Sequence, residues 1–270
     1  MLGQLNIFGK DKVETAIERI KVFEPEEGYY LAFSGGKDSV TVKALCDMAG
    51  VKYDVHYSVT SVDPPELVEF VKSFPDVSID IPTYKTGGAV TMWNLIPKKS
   101  LPPTALVRYC CAFLKEHGGE NRFKITGVRW AESSRRKNTR SGLELAENKG
   151  PRELLDPDNN REELLRICPT KSQRILNPII DWEDSDVWEF IKGNGIRYCS
   201  LYDEGFERLG CIGCPMATTP GRLKEFERWP KYKEAYLRAF EKMISIRKEK
   251  GKPTEWETPE DVLEWWLDRK

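Results

Sequence analysis

The stretch YYLAFSGGKDSVTVKALC, residues 29–46, passes from an apolar run through a polar turn with two glycines into an amphipathic segment. The continuous apolar run over residues 28–33 is typical of a strand buried on both faces. Residues 38–49 have the apolar spacing of a helix that ends at Gly50. The stretch therefore predicts a buried strand that leads through a tight turn into a helix.

The same alternation of strands and helices surrounds this unit. We predict a helix over residues 11–23, strands over 51–60 and 76–81, and a helix over 64–73 between those two strands. Strands that alternate with helices are typical of βαβ units and a parallel sheet. We therefore expect an α/β fold with a parallel, twisted sheet, helices on both faces and a helical C-terminal region.

The second half of the chain is less regular. Further elements are predicted as a short helix over 111–118, strands over 122–129 and 175–182, and helices over 183–193, 229–250 and 258–268. We expect Asp184 or Ser185 to cap the helix over 183–193. Residues 131–161 are long and polar, and we interpret them as a mobile active-site loop with room for a short strand.

The turn SGGKDS, residues 34–39, has the properties of an anion site, and we call it the phosphate loop. Gly35 and Gly36 allow the backbone to approach a ligand closely and to adopt positive φ. The amides of residues 35–39 lie at the start of a helix, whose dipole favours negative charge. The loop also supplies a cation, two hydroxyl groups and a carboxylate on Lys37, Ser34, Ser39 and Asp38.

Two other interpretations of the phosphate loop remain open: a glycine-rich dinucleotide-binding loop and a plain strand-to-helix turn. The loop is not a Walker A motif, and the G-x-G-x-x-G pattern of dinucleotide-binding loops is absent from it. A plain strand-to-helix turn also needs glycines and an aspartate. We favour phosphate binding, with Asp38 either capping the helix or holding Mg²⁺.

Composition and charge restrict the function classes. Hydrophobic residues make up 40% of the 270 residues and charged residues 31%, which predicts an ordinary packed core. The formal net charge is -1, so contact with nucleic acid would need a local basic face. No apolar run approaches a membrane span, and the first residues lack a signal-peptide core. We therefore expect a cytoplasmic protein.

Four of the seven cysteines form two groups, the adjacent Cys110 and Cys111 and the C-x-x-C of Cys211 and Cys214. An odd number of cysteines in an expected reducing compartment argues against disulfides. Four thiolates suit a structural zinc or a [4Fe–4S] cluster, and free structural thiols are the third possibility. The remaining cysteines are expected to pack in the core, namely Cys46, Cys168 and Cys199.

These motifs together resemble a known family. The phosphate loop resembles the PP-loop of the N-type ATP pyrophosphatases, which cleave ATP between the α- and β-phosphates. The cysteine pair with a distant C-x-x-C resembles the iron–sulfur branch of the phosphoadenosine phosphosulfate (PAPS) and adenosine phosphosulfate (APS) reductase family. GVRWAESSRR (127–136) and residues 177–211, with their D-E-G-F turn, also resemble elements of that family. The likeness covers roughly residues 25–215 and implies an adenine nucleotide alpha hydrolase-like fold.

The resemblance implies roles for particular residues. Lys37, Asp38, Arg129 and Arg135 would be catalytic, the two arginines by gripping a second anionic group. ATP with Mg²⁺ would be bound by Ser34, Gly35, Gly36, Lys37, Asp38, Ser39 and Asp63. Cys110, Cys111, Cys211 and Cys214 would hold a [4Fe–4S] cluster in preference to zinc. The domains would be an N-terminal helix (1–24), a nucleotide-binding domain (25–195) and a cysteine-containing helical region (196–270).

Two departures from the reductases bear on the reaction. Sulfonucleotide reductases carry a nucleophilic cysteine near the C-terminus, whereas no cysteine follows Cys214 here. Their PP-loops are degenerate, whereas this loop is intact. Both features favour ATP-driven chemistry, as in the ATP pyrophosphatases of DNA phosphorothioation and the iron–sulfur tRNA thiolases. We expect an ATP pyrophosphatase that adenylates a substrate for sulfur transfer to nucleic acid. The alternatives are a sulfonucleotide reductase and a non-catalytic nucleotide- and nucleic-acid-binding module with a structural metal.

Partners follow from the expected chemistry. We expect a nucleotide substrate, a nucleic-acid acceptor, and a cysteine desulfurase or another sulfur donor, with the chain itself forming a homo-oligomer. Lys98, Lys99 and Arg108 would add a basic rim. The C-terminal aromatic residues have helical spacing, which favours packing over base stacking; they are Trp229, Tyr232, Tyr236, Phe240, Trp256, Trp265 and Trp266. The sequence leaves the acceptor open among DNA, tRNA and a small molecule.

Overall fold

A computed structural model of the chain describes residues 11–116, 118–146, 152–158 and 173–268. The strands of this described part form one sheet with the order β3-β2-β1-β4-β7-β5-β6. They are β1 Tyr29–Ala32, β2 Tyr53–Ser58, β3 Val77–Asp80, β4 Lys124–Ile125, β5 Leu143–Ala146, β6 Arg152–Leu155 and β7 Gln173–Leu176. β1 runs parallel to β2 and β4, and β4 runs parallel to β7, whereas β5 runs antiparallel to β6 and β7. The chain is therefore an α/β protein with a mostly parallel sheet, as the sequence predicted.

The described helices include three that the sequence did not predict, over 92–99, 134–139 and 219–228. The α-helices are α1 Lys12–Val22, α2 Lys37–Ala49, α3 Pro65–Lys72, α4 Met92–Lys99, α5 Tyr109–Leu114, α6 Ser134–Thr139, α7 Asp184–Gly193, α8 Thr219–Arg228, α9 Pro230–Glu249 and α10 Pro259–Asp268. Short 3-10 turns cover Trp130–Glu132 and Ser200–Tyr202. No helix in the described ranges is long and apolar enough to cross a membrane.

The turn between β1 and α2 is built as its sequence predicts. Gly35 has φ of +75°, in the left-handed region that glycine tolerates. Gly36 is the N-cap of α2 and offers no side chain to cap it. At the other end, Gly50 has φ of +69°, and its N–H donates to the carbonyls of Cys46 and Asp47. The glycines thus set both ends of the helix that follows the buried strand.

The expectation of a long loop over residues 131–161 was wrong for its described part. This part contains α6 and the strands β5 and β6, which extend the sheet antiparallel. On β5, Leu143 and Leu145 are buried, and so is the carboxylate of Glu144 between them. Glu144 accepts hydrogen bonds from Arg140 Nε (2.6 Å) and Asn177 Nδ2 (2.8 Å). A buried, satisfied carboxylate looks polar in the sequence, and this hid the strand.

The described chain separates into two compact units that are discontinuous in sequence. The first unit comprises Met1–Tyr57, Glu69–Ser78 and Gly118–Arg208. The second unit comprises Ser58–Val68, Ile79–His117 and Leu209–Lys270. The division at residues 24 and 195 that the sequence indicated stays a prediction.

Each unit has its own apolar interior. In the first unit, strand residues Leu31 and Ile125 and the helix residue Leu45 are fully buried. Cys46 and Cys199 are also buried there, as expected, whereas Cys168 lies outside the described residues.

In the second unit, α9 packs against α4 and α10. Its interior is aromatic, and the packing role expected for the C-terminal aromatic residues is confirmed for Trp229, Tyr236, Phe240 and Trp266.

Candidate functional site

The phosphate loop is held in shape by its own serines. Ser39 Oγ donates to the carbonyl of Gly36 (2.9 Å) and accepts from the N–H of Ser34 (3.2 Å). Ser34 Oγ in turn accepts from the N–H of Gly36 (3.4 Å). These bonds fold residues 34–39 back on themselves at the end of β1. The two serines, predicted as ligand donors, therefore also maintain the turn.

A tyrosine that the sequence reasoning missed lies at the start of α2. The N–H of Lys37 donates to Tyr202 Oη at 2.8 Å. The ring of Tyr202 packs edge-on against Trp188, with centroids 5.0 Å apart. Burial raises the pKa of Tyr202, so the phenol stays neutral. Within the described residues its O–H donates no hydrogen bond, and the signal for this residue in the sequence was its place directly before the D-E-G-F turn.

Two cations and two carboxylates alternate beside the phosphate loop. Lys37 is 6% exposed, and its Nζ lies 3.3 Å from Asp184 Oδ1 and 3.6 Å from Asp38 Oδ2. Arg129 is 1% exposed and donates to Asp38 Oδ1 (2.7 Å), Asp184 Oδ1 (2.5 Å) and the carbonyl of Trp182 (3.1 Å). The opposite charges compensate one another, which allows two basic side chains to be buried here.

Asp184 is a second residue whose role the sequence did not predict. The N-cap of α7 is Glu183, so the expectation that Asp184 or Ser185 caps this helix was wrong. Although burial acts to raise it, the pKa of Asp184 is lowered by the hydrogen bond from Arg129 and the charge of Lys37. Its side chain is 70% exposed. An ionised carboxylate therefore reaches solvent beside Lys37.

The two arginines predicted to grip an anion occupy different environments. Arg129 donates hydrogen bonds to Asp38, Asp184 and the backbone, so it positions the carboxylate of Asp38 in the phosphate loop. Arg135 is exposed on α6, and no contact between it and the loop carboxylate is present among the described side chains. The structure thus brings together Lys37, Asp38 and Arg129 and leaves Arg135 apart from their hydrogen bonds.

Gly127 explains why the GVR motif begins with glycine. A Cβ at this position would lie 2.8 Å from the backbone carbon and oxygen of Asp38. The segment after β4 can therefore approach the start of α2 only without a side chain. This close approach lies two residues before Arg129 and supports its contact with Asp38.

The second unit contains the four cysteines. Cys110 is buried and Cys111 is partly exposed, both on α5. Cys211 and Cys214 flank a turn in which the N–H of Cys214 donates to the carbonyl of Cys211 (3.1 Å). Gly213 in this turn has φ of +71°, and its N–H donates to Glu225 Oε2 at 2.7 Å. The turn is therefore fixed from α8.

Electrostatics place the four thiols in one neighbourhood. The hydrogen bond with Cys111, then burial, raises the pKa of Cys110, and the Cys211 and Cys214 thiols add to this. The same hydrogen bond lowers the pKa of Cys111, whose Sγ also accepts from Arg108 Nη2 at 3.3 Å. Burial raises the pKa of Cys211 to about 11. Even so, no group of three or more His, Cys, Asp or Glu side chains in the described ranges is arranged to hold a metal ion.

The surroundings of a buried arginine, Arg222, show whether the region of the four cysteines suits an anionic group. Arg222 is 1% exposed, donates to the carbonyl of Trp266 (2.8 Å) and lies over the ring of that tryptophan. Its Nε and Nη2 have no hydrogen-bond partner in the part of the chain that the structure describes. Burial lowers the pKa of Arg222, and the Cys214 thiol acts against this. A buried cation with unused donors that interacts with the Cys214 thiol fits a thiolate-bound, negatively charged group.

Asp63 was predicted to contact the nucleotide, and the structure places it with the cysteines of the second unit. It is 5% exposed, and its Oδ1 lies 3.9 Å from Cys211 Sγ. Its backbone carbonyl accepts from the hydroxyl of Tyr232 at 2.9 Å. A contact between Asp63 and a nucleotide stays a prediction.

Comparison with known proteins identifies the family. A model of the phosphoadenosine phosphosulfate reductase domain matches residues 28–217. The chain therefore belongs to the phosphoadenosine phosphosulfate reductase family. Membership supports nucleotide binding by residues 28–217.

The individual relatives are distant. The chain is 30% identical over 226 residues to an uncharacterised protein of Methanocaldococcus jannaschii, covering 82% of this chain and 47% of that protein. It is 35% identical over 66 residues to the adenosine 5'-phosphosulfate reductase of Allochromatium vinosum, covering 23% of this chain and 26% of the reductase. The chain thus spans less than half the length of either relative. Among solved structures, the phosphoadenylyl-sulfate reductase of Candida auris in its phosphate complex gives a TM-score of 0.46 at 16% identity, over 73% of this chain and 88% of that one.

Proposed function

We propose that this chain is an ATP pyrophosphatase that cleaves ATP to AMP and pyrophosphate and adenylates a substrate for sulfur transfer to nucleic acid. The observation that carries the proposal is the intact phosphate loop at the start of α2. This loop places a buried lysine and the backbone amides of a helix start beside the neutral phenol of Tyr202, which accepts from the N–H of Lys37. Such a set of donors suits the charge of a leaving pyrophosphate.

The residues around the loop act by positioning. The amides at the start of α2 and the ammonium of Lys37 would hold the β- and γ-phosphates. Tyr202, which already accepts from the N–H of Lys37, would donate its O–H to a phosphate oxygen. Asp38 and Asp184 keep Lys37 and Arg129 in fixed places, so little reorganisation is needed when the charge on the leaving group develops.

A magnesium ion suits the carboxylates present. The exposed carboxylate of Asp184 and the partly exposed one of Asp38 are oxygen ligands of the kind that Mg²⁺ prefers. When bound, Mg²⁺ would neutralise charge on the triphosphate.

The four cysteines are proposed to hold a [4Fe–4S] cluster in preference to zinc. Their thiol chemistry and the unpaired donors of Arg222 support this. When bound, the cluster would stabilise the second unit or carry sulfur. A cysteine desulfurase or another sulfur donor, and assembly of the chain into a homo-oligomer, belong to the same proposal.

The test is turnover of ATP by protein purified without oxygen. We expect AMP and pyrophosphate in equal amounts from ATP, and no sulfite from a phosphosulfate nucleotide. Lys37→Ala should abolish pyrophosphate release, whereas Lys52→Ala, which removes an exposed ammonium of the first unit, should not. Absence of pyrophosphate from the wild-type protein, with and without nucleic acid, would refute the proposal.

A second candidate, sulfonucleotide reduction, is favoured by the 35% identity to an adenosine 5'-phosphosulfate reductase over 66 residues. The same experiment separates it, because sulfite without pyrophosphate would establish the reductase.

A further inference from the structure

One segment of the second unit carries positive charge only. Residues 82–115 contain five basic side chains and no Asp or Glu, although the whole chain has a net charge of -1. The basic residues are Lys85, Lys98, Lys99, Arg108 and Lys115. A local excess of this kind can attract a polyanion that the chain as a whole cannot.

Two of these lysines are held in place by aromatic rings. Lys98 Nζ lies 3.7 Å from the ring centroid of Tyr84, and Lys99 Nζ lies 4.4 Å from that of Phe113. Both lysines are exposed at the last turn of α4, and both rings are half-buried. Across the described ranges neither ammonium is paired with a carboxylate. A cation–π contact fixes an ammonium without neutralising it, so the charge remains available to a ligand.

The same surface continues to the cysteines. Arg108 is exposed and donates to Cys111 Sγ (3.3 Å), and the ammonium of Lys115 interacts electrostatically with Cys211. Between α4 and α5, Leu106 is 91% exposed. We call the surface of Lys85, Lys98, Lys99, Arg108 and Lys115, with the rings of Tyr84 and Phe113, the basic face. It combines the exposed ammonium groups of Lys98 and Lys99, which are not paired with a carboxylate in the described ranges, with aromatic and apolar groups that reach solvent.

We propose that the basic face binds single-stranded nucleic acid, with backbone phosphates on the lysines and bases against the rings and Leu106. Cations together with half-exposed aromatic rings are the elements by which proteins bind unpaired strands. A duplex keeps its bases stacked inside and would use the cations alone, and an acidic peptide would leave the rings unused. The inference rests on the proposed function, because it assigns the nucleic-acid acceptor to a surface beside the cysteines.

The test compares two double variants of the full chain. Lys98→Gln/Lys99→Gln removes two cations of the basic face, and the control Lys248→Gln/Lys250→Gln removes two exposed ones at the end of α9. Binding of a labelled single strand of about 20 nucleotides is followed by fluorescence anisotropy over a range of salt concentrations. Loss of two phosphate contacts should reduce the slope of log affinity against log salt by about 1.4, which is roughly 25-fold in affinity at about 0.1 M salt. The control should keep the wild-type slope.

The rings give a second readout. Tyr84→Leu should weaken binding of the single strand by about fivefold or more, as expected for one lost stacking contact, and leave the slope of log affinity against log salt unchanged. Single strands of DNA and RNA are measured in parallel, and the proposal holds if either responds in this way.

Two results would overturn the inference. If Lys98→Gln/Lys99→Gln binds like the wild type, the face is not the binding surface. If a duplex binds at least as tightly as the single strand and ignores Tyr84→Leu, the single-strand assignment is wrong. Pyrophosphate release from ATP is measured separately without oligonucleotide, and it should be unchanged in Lys98→Gln/Lys99→Gln. A wild type that releases no pyrophosphate, either without oligonucleotide or when nucleic acid is added, contradicts the proposed function but leaves the binding comparison valid.

Discussion

Replacing Arg129 with methionine distinguishes between the two roles that this residue has been given. The sequence predicts that Arg129 grips an anionic ligand, whereas the structure surrounds it with Asp38, Asp184 and the carbonyl of Trp182. Methionine keeps much of the buried volume and removes all three hydrogen bonds. We therefore expect Arg129→Met to unfold more easily even when no ligand is present.

The magnitude follows from the exposure of each partner. The bond to Asp38, whose side chain is 23% exposed, is charge-assisted and should contribute about 2 kcal/mol. The side chain of Asp184 is 70% exposed and stays hydrated, so its share is below about 1 kcal/mol. The buried carbonyl of Trp182 loses a donor at a cost of about 1 kcal/mol. The expected loss of about 3 kcal/mol lowers the melting temperature by roughly 6–12 °C.

The assay is thermal unfolding of the protein without nucleotide, followed by circular dichroism. The control is Arg136→Met, in the same motif, because Arg136 pairs with Glu132 one turn away and its side chain is 31% exposed. That variant should lose less than about 1 kcal/mol. Arg129→Lys should not rescue stability, because one ammonium cannot replace a guanidinium that binds three groups.

The structural role of Arg129 would be refuted by an unchanged melting temperature. If Arg129→Met melts like the wild type but loses ATP turnover, then Arg129 binds ligand as the sequence indicated. If it loses stability and keeps nucleotide affinity, the positioning role stands.

Three further variants address the two units. Tyr202→Phe should weaken the binding of pyrophosphate and ATP by about tenfold, the value of one hydrogen bond to a charged group, and leave the binding of AMP unaffected. Calorimetry measures these affinities, and Tyr198→Phe, at a half-buried tyrosine, is the control. Tighter pyrophosphate binding by Tyr202→Phe would show that the phenol only occupies the site. Because the pKa of Asp184 is lowered from its ordinary value of 3.8, its contribution to stability is present above that pH and is lost as pH falls through the lower folded value. The stability difference between wild type and Asp184→Asn, measured by urea unfolding, should therefore shrink as the pH falls below 3.8, and a constant difference would contradict this. Gly213→Ala should lower the free energy of unfolding by about 2 kcal/mol, since φ is +71° and the new Cβ would lie 2.8 Å from a phenylalanine ring. Gly210→Ala is the control, because a Cβ there meets nothing within 4 Å. Equal midpoints of urea unfolding for the two variants would contradict this.

Local sequence determined the elements around the phosphate loop. The apolar run over 28–33 became β1, and the amphipathic segment over 38–49 became α2, because periodicity and glycine placement act within a few residues. The same reasoning failed for β5, whose Glu144 is buried by Arg140 and Asn177. The first of these partners is four residues away, but the second comes from beyond β7, and burial of the carboxylate depends on that strand.

At the candidate site, too, local sequence predicted some residues and only distant packing revealed others. The sequence alone pointed to Lys37 and Asp38, since a strand, two glycines and a helix start define an anion site locally. Only the tertiary structure added Tyr202, which reaches the N–H of Lys37 across 165 positions of sequence, and Asp184, which meets Arg129 across 55. It also shows Arg129 as a buried side chain that donates to Asp38, while its role in ligand binding stays a prediction. The physical reason is that hydrogen-bond partners and desolvation are set by which distant segments pack together, and a motif contains no information on that packing.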